Sequence, residues 1–92
     1  MNKAELIELV ANKTGMTKKQ SEESIDLAIN AITKSVARGE KVTLVGFGTF
    51  ERRDRRARKG RDPRTGAEIN IPAKKVPAFS AGKQFKEAVN KR

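Results

Sequence analysis

The chain has no cysteine, histidine, tryptophan or tyrosine, and only three prolines. Without cysteine there are no disulfides, no thiolate nucleophile and no cysteine metal site. Without histidine the commonest general base and metal ligand near neutral pH is missing. An enzyme, a metal site and a bound cofactor are therefore not expected. The aromatic residues are four phenylalanines, which leaves no tyrosine or tryptophan surface on which bases would stack. Acidic residues are few, 11 against 21 basic, giving a net charge of +10. A long apolar run is also lacking. Glu5 and Glu8 interrupt the short one near Met1, which argues against a signal peptide or a transmembrane segment, so a soluble intracellular chain with no membrane partner is expected.

Ninety-two residues make one domain at most, and a chain of this size buries only about 60% of its unfolded surface. With 36% hydrophobic and 35% charged residues, the core is expected to be small and mostly aliphatic, without a large ligand pocket. Oligomerisation is an early expectation.

Local signals divide the chain. Asn2 with Glu5 has the form of a helix start, followed by Leu6, Ile7, Leu9 and Val10 and closed by Gly15, which predicts a helix over about 3–14. Thr17 and Gln20 repeat the capping box. Ile25, Ile29, Ile32 and Val36 then recur at helical spacing until Gly39, predicting a second helix over about 18–38. This helical hairpin, 3–38, carries an apolar stripe longer than the first helix can cover. After Gly39 the period changes to alternation, and a small antiparallel sheet is expected over 41–51 and 69–79. Ser80 is placed to cap a closing helix over 82–90, with Phe85 and Val89 facing the body.

The charge is gathered between these elements. Eight of the thirteen residues from Arg52 to Arg64 are Arg or Lys, and with Asp54 and Asp62 subtracted they hold +6 of the net +10. Basic side chains take both parities, Arg53 and Arg55 on one face and Arg52, Arg56 and Arg58 on the other, so this strand cannot lie on a core. Gly60 to Gly66 reverses the chain. The stretch 52–72 is therefore read as a two-stranded ribbon projecting from the sheet, mobile without its partner. A charge run is ordinarily a solvated surface. Here the density of arginine, whose planar guanidinium makes several contacts to one phosphate, points to nucleic acid.

Pro63 is either an ordinary turn residue or an apolar wedge at the end of a cationic ribbon, of the kind that unstacks a base step and kinks the duplex. A ribbon with cations on both faces suits the minor groove, where sequence preference is weak and bent, nicked or flexible sites are favoured. Lys74, Lys75, Lys83, Lys86 and Lys3 form a second basic set, each alone a solvated lysine and together an extension of the phosphate track. Gly46-Phe47-Gly48 and Gly82-Lys83 lack the context of dinucleotide and phosphate loops, and the glycines of the first serve a strand turn.

Three runs, Val42 to Phe50, Arg55 to Gly66 and Ile71 to Phe79, resemble the bacterial histone-like proteins of the HU type over essentially the whole chain. That family is already counted among minor-groove architectural binders. The resemblance implies an α+β fold: an intertwined dimer with a helical base, an antiparallel sheet saddle and two protruding β-ribbon arms, the other subunit covering the stripe on the second helix. It implies a histone-like, nucleoid-associated protein of the cytoplasm that binds, bends and condenses double-stranded DNA, with self or a paralogue as dimer partner. By position, DNA contacts fall on Arg53, Arg55, Arg58, Lys59, Arg61 and Arg64, with Pro63 as the intercalating wedge. Lys3, Lys74, Lys75, Ser80, Lys83 and Lys86 take flanking phosphates. Asp62 departs from the Asn or Lys that the family more often has before the proline; a carboxylate there weakens phosphate binding but still sets an Asx turn. Two alternatives stand beside this reading. One is a sequence-specific DNA-bending protein of the integration host factor type, against which the chain's end soon after Val89 speaks. The other is a small RNA-binding protein, which would share the charge and the arm, and RNA is also a partner that HU-type proteins accept.

Overall fold

A computed structural model of the protein describes residues 1–91. They form two compact units, Met1–Lys34 and a second from Ser35 onward.

The first unit holds α1 (Lys3–Thr14) and most of α2 (Lys18–Ala37). The amides at a helix start have no intrahelical acceptor, and both starts supply one from a side chain. The Glu5 N–H donates to Asn2 Oδ1 at 2.9 Å. At α2 the box closes both ways: the Gln20 N–H donates to Thr17 Oγ1 at 3.0 Å, and the Thr17 N–H to Gln20 Oε1 at 3.1 Å. Gly15, at φ 77°, ends α1 in the left-handed region and returns its N–H to the Ala11 carbonyl at 3.0 Å. Ala11 and Ser21 are buried in this unit, while Leu6, Leu9 and Ile29 stay partly exposed and Leu27 is 71% exposed. The stripe on α2 is therefore buried at Val36, half-buried at Ile25 and Ile32, and open at Ile29.

The second unit begins with the end of α2. Gly39, at φ 91°, donates to the Val36 carbonyl and Glu40 to the Ser35 carbonyl, each at 2.9 Å, a paired closure that needs the left-handed glycine. Five strands follow: β1 (Val42–Leu44), β2 (Gly48–Arg55), β3 (Arg58–Arg61), β4 (Glu68–Ile71) and β5 (Lys74–Ala81), before α3 (Lys83–Asn90). They make a three-stranded antiparallel sheet in the order β1-β2-β5 and a two-stranded sheet of β3 and β4.

On one face of β2 and β5, Phe50 and Phe79 are register partners with ring centroids 4.9 Å apart. Phe47 stacks on Phe85 of α3 at 5.2 Å, joining both into one aromatic cluster. Gly48 makes this close packing feasible, since a Cβ there would stand 2.5 Å from the Phe79 ring and 2.6 Å from the Ser80 carbonyl.

Three expectations change. The returning sheet strand is Lys74–Ala81 rather than 69–79, because Ile69 and Ile71 alternate in β4, which pairs with β3 alone. Ser80 does not cap the last helix. It is held in the ladder opposite Thr49, and the helix starts at Lys83, one residue after the expected 82, behind Gly82, which offers no side chain. The second helix ends at Ala37, one residue short of the expected 38.

Candidate nucleic-acid interface

The sheet runs outward into the arm in one register. The last pair of the first ladder is Arg55 with Lys74, and the first of the second is Arg58 with Ile71, so two residues intervene on each strand. No bulge offsets them. Pro72, in that gap, has no N–H to give a ladder, which accounts for the break without any slip.

Pairing fixes the faces, because register partners project to the same side. Thr49, Glu51, Arg53, Arg55, Lys74, Val76 and Ser80 share the face opposite the phenylalanines. In the outer ladder Lys59, Arg61, Asn70 and Glu68 share one face, while Arg58, Gly60, Ile69 and Ile71 share the other. The cations of the arm do occupy both sides. Arg53, Arg55, Lys74 and Ser80 are brought together on the sheet's polar face, and Lys75 lies on the aromatic face beyond Pro77.

The tip is fixed by short local bonds. The Asp62 N–H donates to the Ala67 carbonyl and the Gly66 N–H to the Asp62 carbonyl, both at 2.8 Å, with Gly66 at φ 71°. The Asp62 carboxylate accepts from the Arg64 N–H at 2.8 Å, the Asx turn expected of it. Pro63 is exposed at this point.

Ion pairing sorts the cations further. Arg53 faces Glu51 at 3.3 Å and Lys59 faces Glu68 at 3.6 Å. In the first unit Lys3 meets Asp26 at 2.6 Å, and the hydrogen bond and charge of that carboxylate hold the ammonium's pKa above the ordinary lysine value. Among the described residues, Arg55, Arg58, Arg61, Arg64, Lys74, Lys75, Lys83 and Lys86 make no ion pair, and Arg56, at the elbow of the arm, is also free.

Two features escaped the sequence reading. Thr43 and Thr49, register partners with hydroxyls 3.2 Å apart, add donors and acceptors to the polar face beside Ser80. The alternation Thr49, Glu51, Arg53, Arg55 carried that signal. Arg52, counted with the arm by its charge, instead turns toward the end of α2. Among the described residues no group of acidic or histidine side chains forms a metal site, and no helix is long and apolar enough to cross a membrane.

A helical hairpin, a small antiparallel sheet and an arginine-rich ribbon carrying unpaired cations together define an α+β protein whose free charge is gathered on extended backbone. The chain belongs to the bacterial DNA-binding protein family, whose sequence model matches residues 1–90. It is 56% identical over 89 residues to the DNA-binding protein HU of Staphylococcus aureus (strain COL), covering 97% of this chain and 99% of that one. Identity to the HU protein of Clostridium pasteurianum is also 56%, over 91 residues, covering 99% of this chain and all of that one. Among solved structures it is similar to the Anabaena HU–DNA cocrystal structure, with a TM-score of 0.89, 52% identity and full coverage of both chains.

Proposed function

We propose that the protein is a histone-like architectural protein that binds double-stranded DNA with little sequence specificity, bending and condensing it. The observation that carries this reading is the arm. It is a ribbon in continuous register with the sheet, with Arg55, Arg58, Arg61 and Arg64 unpaired along it and an exposed proline at its tip. Laid in the minor groove, such a ribbon sets its two rows of cations against the two phosphate rows, while Pro63 enters between base pairs and opens a kink. Sites that are already bent or nicked need less deformation and are bound more tightly. The HU–DNA cocrystal of the Anabaena protein supports the same partner here. Arg53, Arg55, Arg58, Lys59, Arg61 and Arg64 are the arm contacts, and Lys74, Lys75, Ser80, Lys83, Lys86 and Lys3 the flanking ones. The chain acts as one DNA-binding domain in the bacterial nucleoid, without catalysis.

The working unit is a dimer. Ala11 and Val36 are the hydrophobic side chains that the described chain buries, whereas Val45 is 96% exposed and Leu27 and Val89 about as open as each other at 71% and 70%. Apolar surface on this scale marks an interface, and a second copy of the chain is its occupant.

Gel-shift titrations of linear, nicked and pre-bent duplexes across a salt series test the proposal. Affinity is expected to fall by about 0.9 log units per decade of salt for each phosphate neutralised. Arg58→Ala with Arg61→Ala should flatten that slope, and Pro63→Ala should erase the preference for nicked and bent DNA. Equal affinity for all three shapes, indifferent to Pro63, would reduce the arm to a cationic tether, and a stronger grip on structured RNA would move the protein to another class.

A further inference from the structure

The geometry points to Arg52 as a positioning residue that anchors the root of the arm to the end of α2, and not as a contact to DNA phosphate. The inference rests on the DNA-binding reading above. An α-helix leaves its last carbonyls without intrahelical donors. Here two of them are answered by the closing turn, Ser35 by Glu40 and Val36 by Gly39, and Ala37 is left. Arg52 Nη1 donates to the Ala37 carbonyl at 3.2 Å, across a separation of 15 residues. On its other edge, Arg52 Nε lies 3.1 Å from Asp54 Oδ1. The guanidinium also lies over Gly39, where a Cβ would stand 3.3 Å from Nη2.

Each contact favours the same pose. A helix C-terminus is the negative end of the peptide dipoles, so a cation is stabilised there, and the planar fork of arginine serves a carbonyl and a carboxylate at once. The side chain is 26% exposed, against 59% for Arg53 next to it. Its level on the ladder matters too. Arg52 pairs with Pro77, two rungs outside the Phe50–Phe79 pair of the aromatic cluster. Beyond it lie Arg53, Arg55 and the arm. A ribbon rooted in this way reaches DNA already aimed, whereas an unanchored one loses more orientational freedom on binding.

The test compares Arg52→Ala, Asp54→Asn and Arg61→Ala in the full chain. The readouts are a salt series of affinities for linear and nicked duplex, and amide hydrogen exchange of the free protein. Arg52→Ala is expected to weaken both duplexes alike by about threefold to tenfold with the salt slope unchanged. The amides of Asp54, Arg55 and Lys75 should exchange faster while those of α1 do not change. Asp54→Asn, which keeps the helix-end contact and alters an exposed carboxylate whose one ion pair among the described residues is with Arg52, should act in the same direction by less. It decides the matter if Arg52→Ala does not fold. Arg61→Ala should flatten the salt slope without touching exchange at the root. A flattened slope for Arg52→Ala with unchanged exchange would make Arg52 a phosphate contact and overturn the inference. Unchanged affinity and exchange in both variants would overturn it as well. Should the wild-type protein fail to bind duplex DNA, the functional reading falls, and the exchange measurement still decides the anchor by itself.

Discussion

From Gly48 to Arg53, β2 is held by an aromatic cluster on one face and by the end of α2 through Arg52. From Arg58 to Arg61, β3 faces Ile69 and Ile71 on one side and salt-bridged or free cations on the other. The two stretches share a register and a backbone geometry, yet the inner one is packed and the outer one is solvated. Strand pairing alone is a weak source of stability, and what differs is the burial behind it. The arm is thus a strand pair whose missing burial is left for a partner to supply, and its exposed charge selects that partner.

Two glycines, one in each ladder, give the sharpest way to break this comparison. Gly48→Val puts a side chain against the Phe79 ring and the Ser80 carbonyl, at 2.5 and 2.6 Å from its Cβ, and the carbonyl cannot swing away. A loss of about 2–4 kcal/mol is expected by chemical denaturation, through overpacking of the cluster. A smaller effect belongs to the tip. Asp62→Asn retains an oxygen for the Arg64 N–H and removes a negative charge from the neighbourhood of phosphate. Binding at low salt should tighten by about twofold to fivefold, within the range of one surface charge; unchanged or weaker affinity would contradict the account of the tip.

Smaller again is Gly60→Ala. Its Cβ meets Ile71 Cδ1 at 2.9 Å, the far end of a flexible side chain that can rotate. Stability should change by less than about 1 kcal/mol, and a loss as large as that of Gly48→Val would mean that the arm is packed after all. The smallest effect lies in the helical hairpin. The folded-state pKa of Lys3 is raised by Asp26, so the pair's contribution is complete below the unfolded lysine value and disappears as pH rises through the folded one. Wild-type protein and Asp26→Asn should therefore differ at neutral pH and converge in thermal midpoint under strongly alkaline conditions.

The sequence reading succeeded where structure is written locally. Both helix starts rest on a side chain three residues from its partner amide, and both helix ends on a glycine, so Asn2, Thr17, Gly15 and Gly39 could be read without knowledge of the rest. It failed where a distant partner decides. Ile69 and Ile71 alternate as a sheet strand would, and only pairing with Arg58 and Gly60 assigns them to the arm. Ser80 has the chemistry of a helix cap but belongs to β5, opposite Thr49, and a residue cannot hold strand and cap geometry at once. Arg52 carries the same charge as its neighbours, and its role depends on a carbonyl 15 residues earlier. The candidate site was legible as a whole because charge density survives errors in register, whereas the sorting of its cations by face required the ladder.

The break at 56–57 and 72–73 takes two residues from each strand, so the ladders on either side stay in step. That symmetry governs how the arm can vary in length. Residues added or deleted two per strand move the proline tip by about 7 Å and leave every side chain on its own side, whereas one per strand keeps the pairing but exchanges the sides beyond it. An insertion on one strand alone would exchange the sides beyond it or force a bulge, bringing Ile69 and Ile71 to the side that Lys59 and Arg61 hold. The ribbon is in this sense a ruler graduated in pairs of rungs, and variants of different span would measure how far along the groove the proposed wedge must reach.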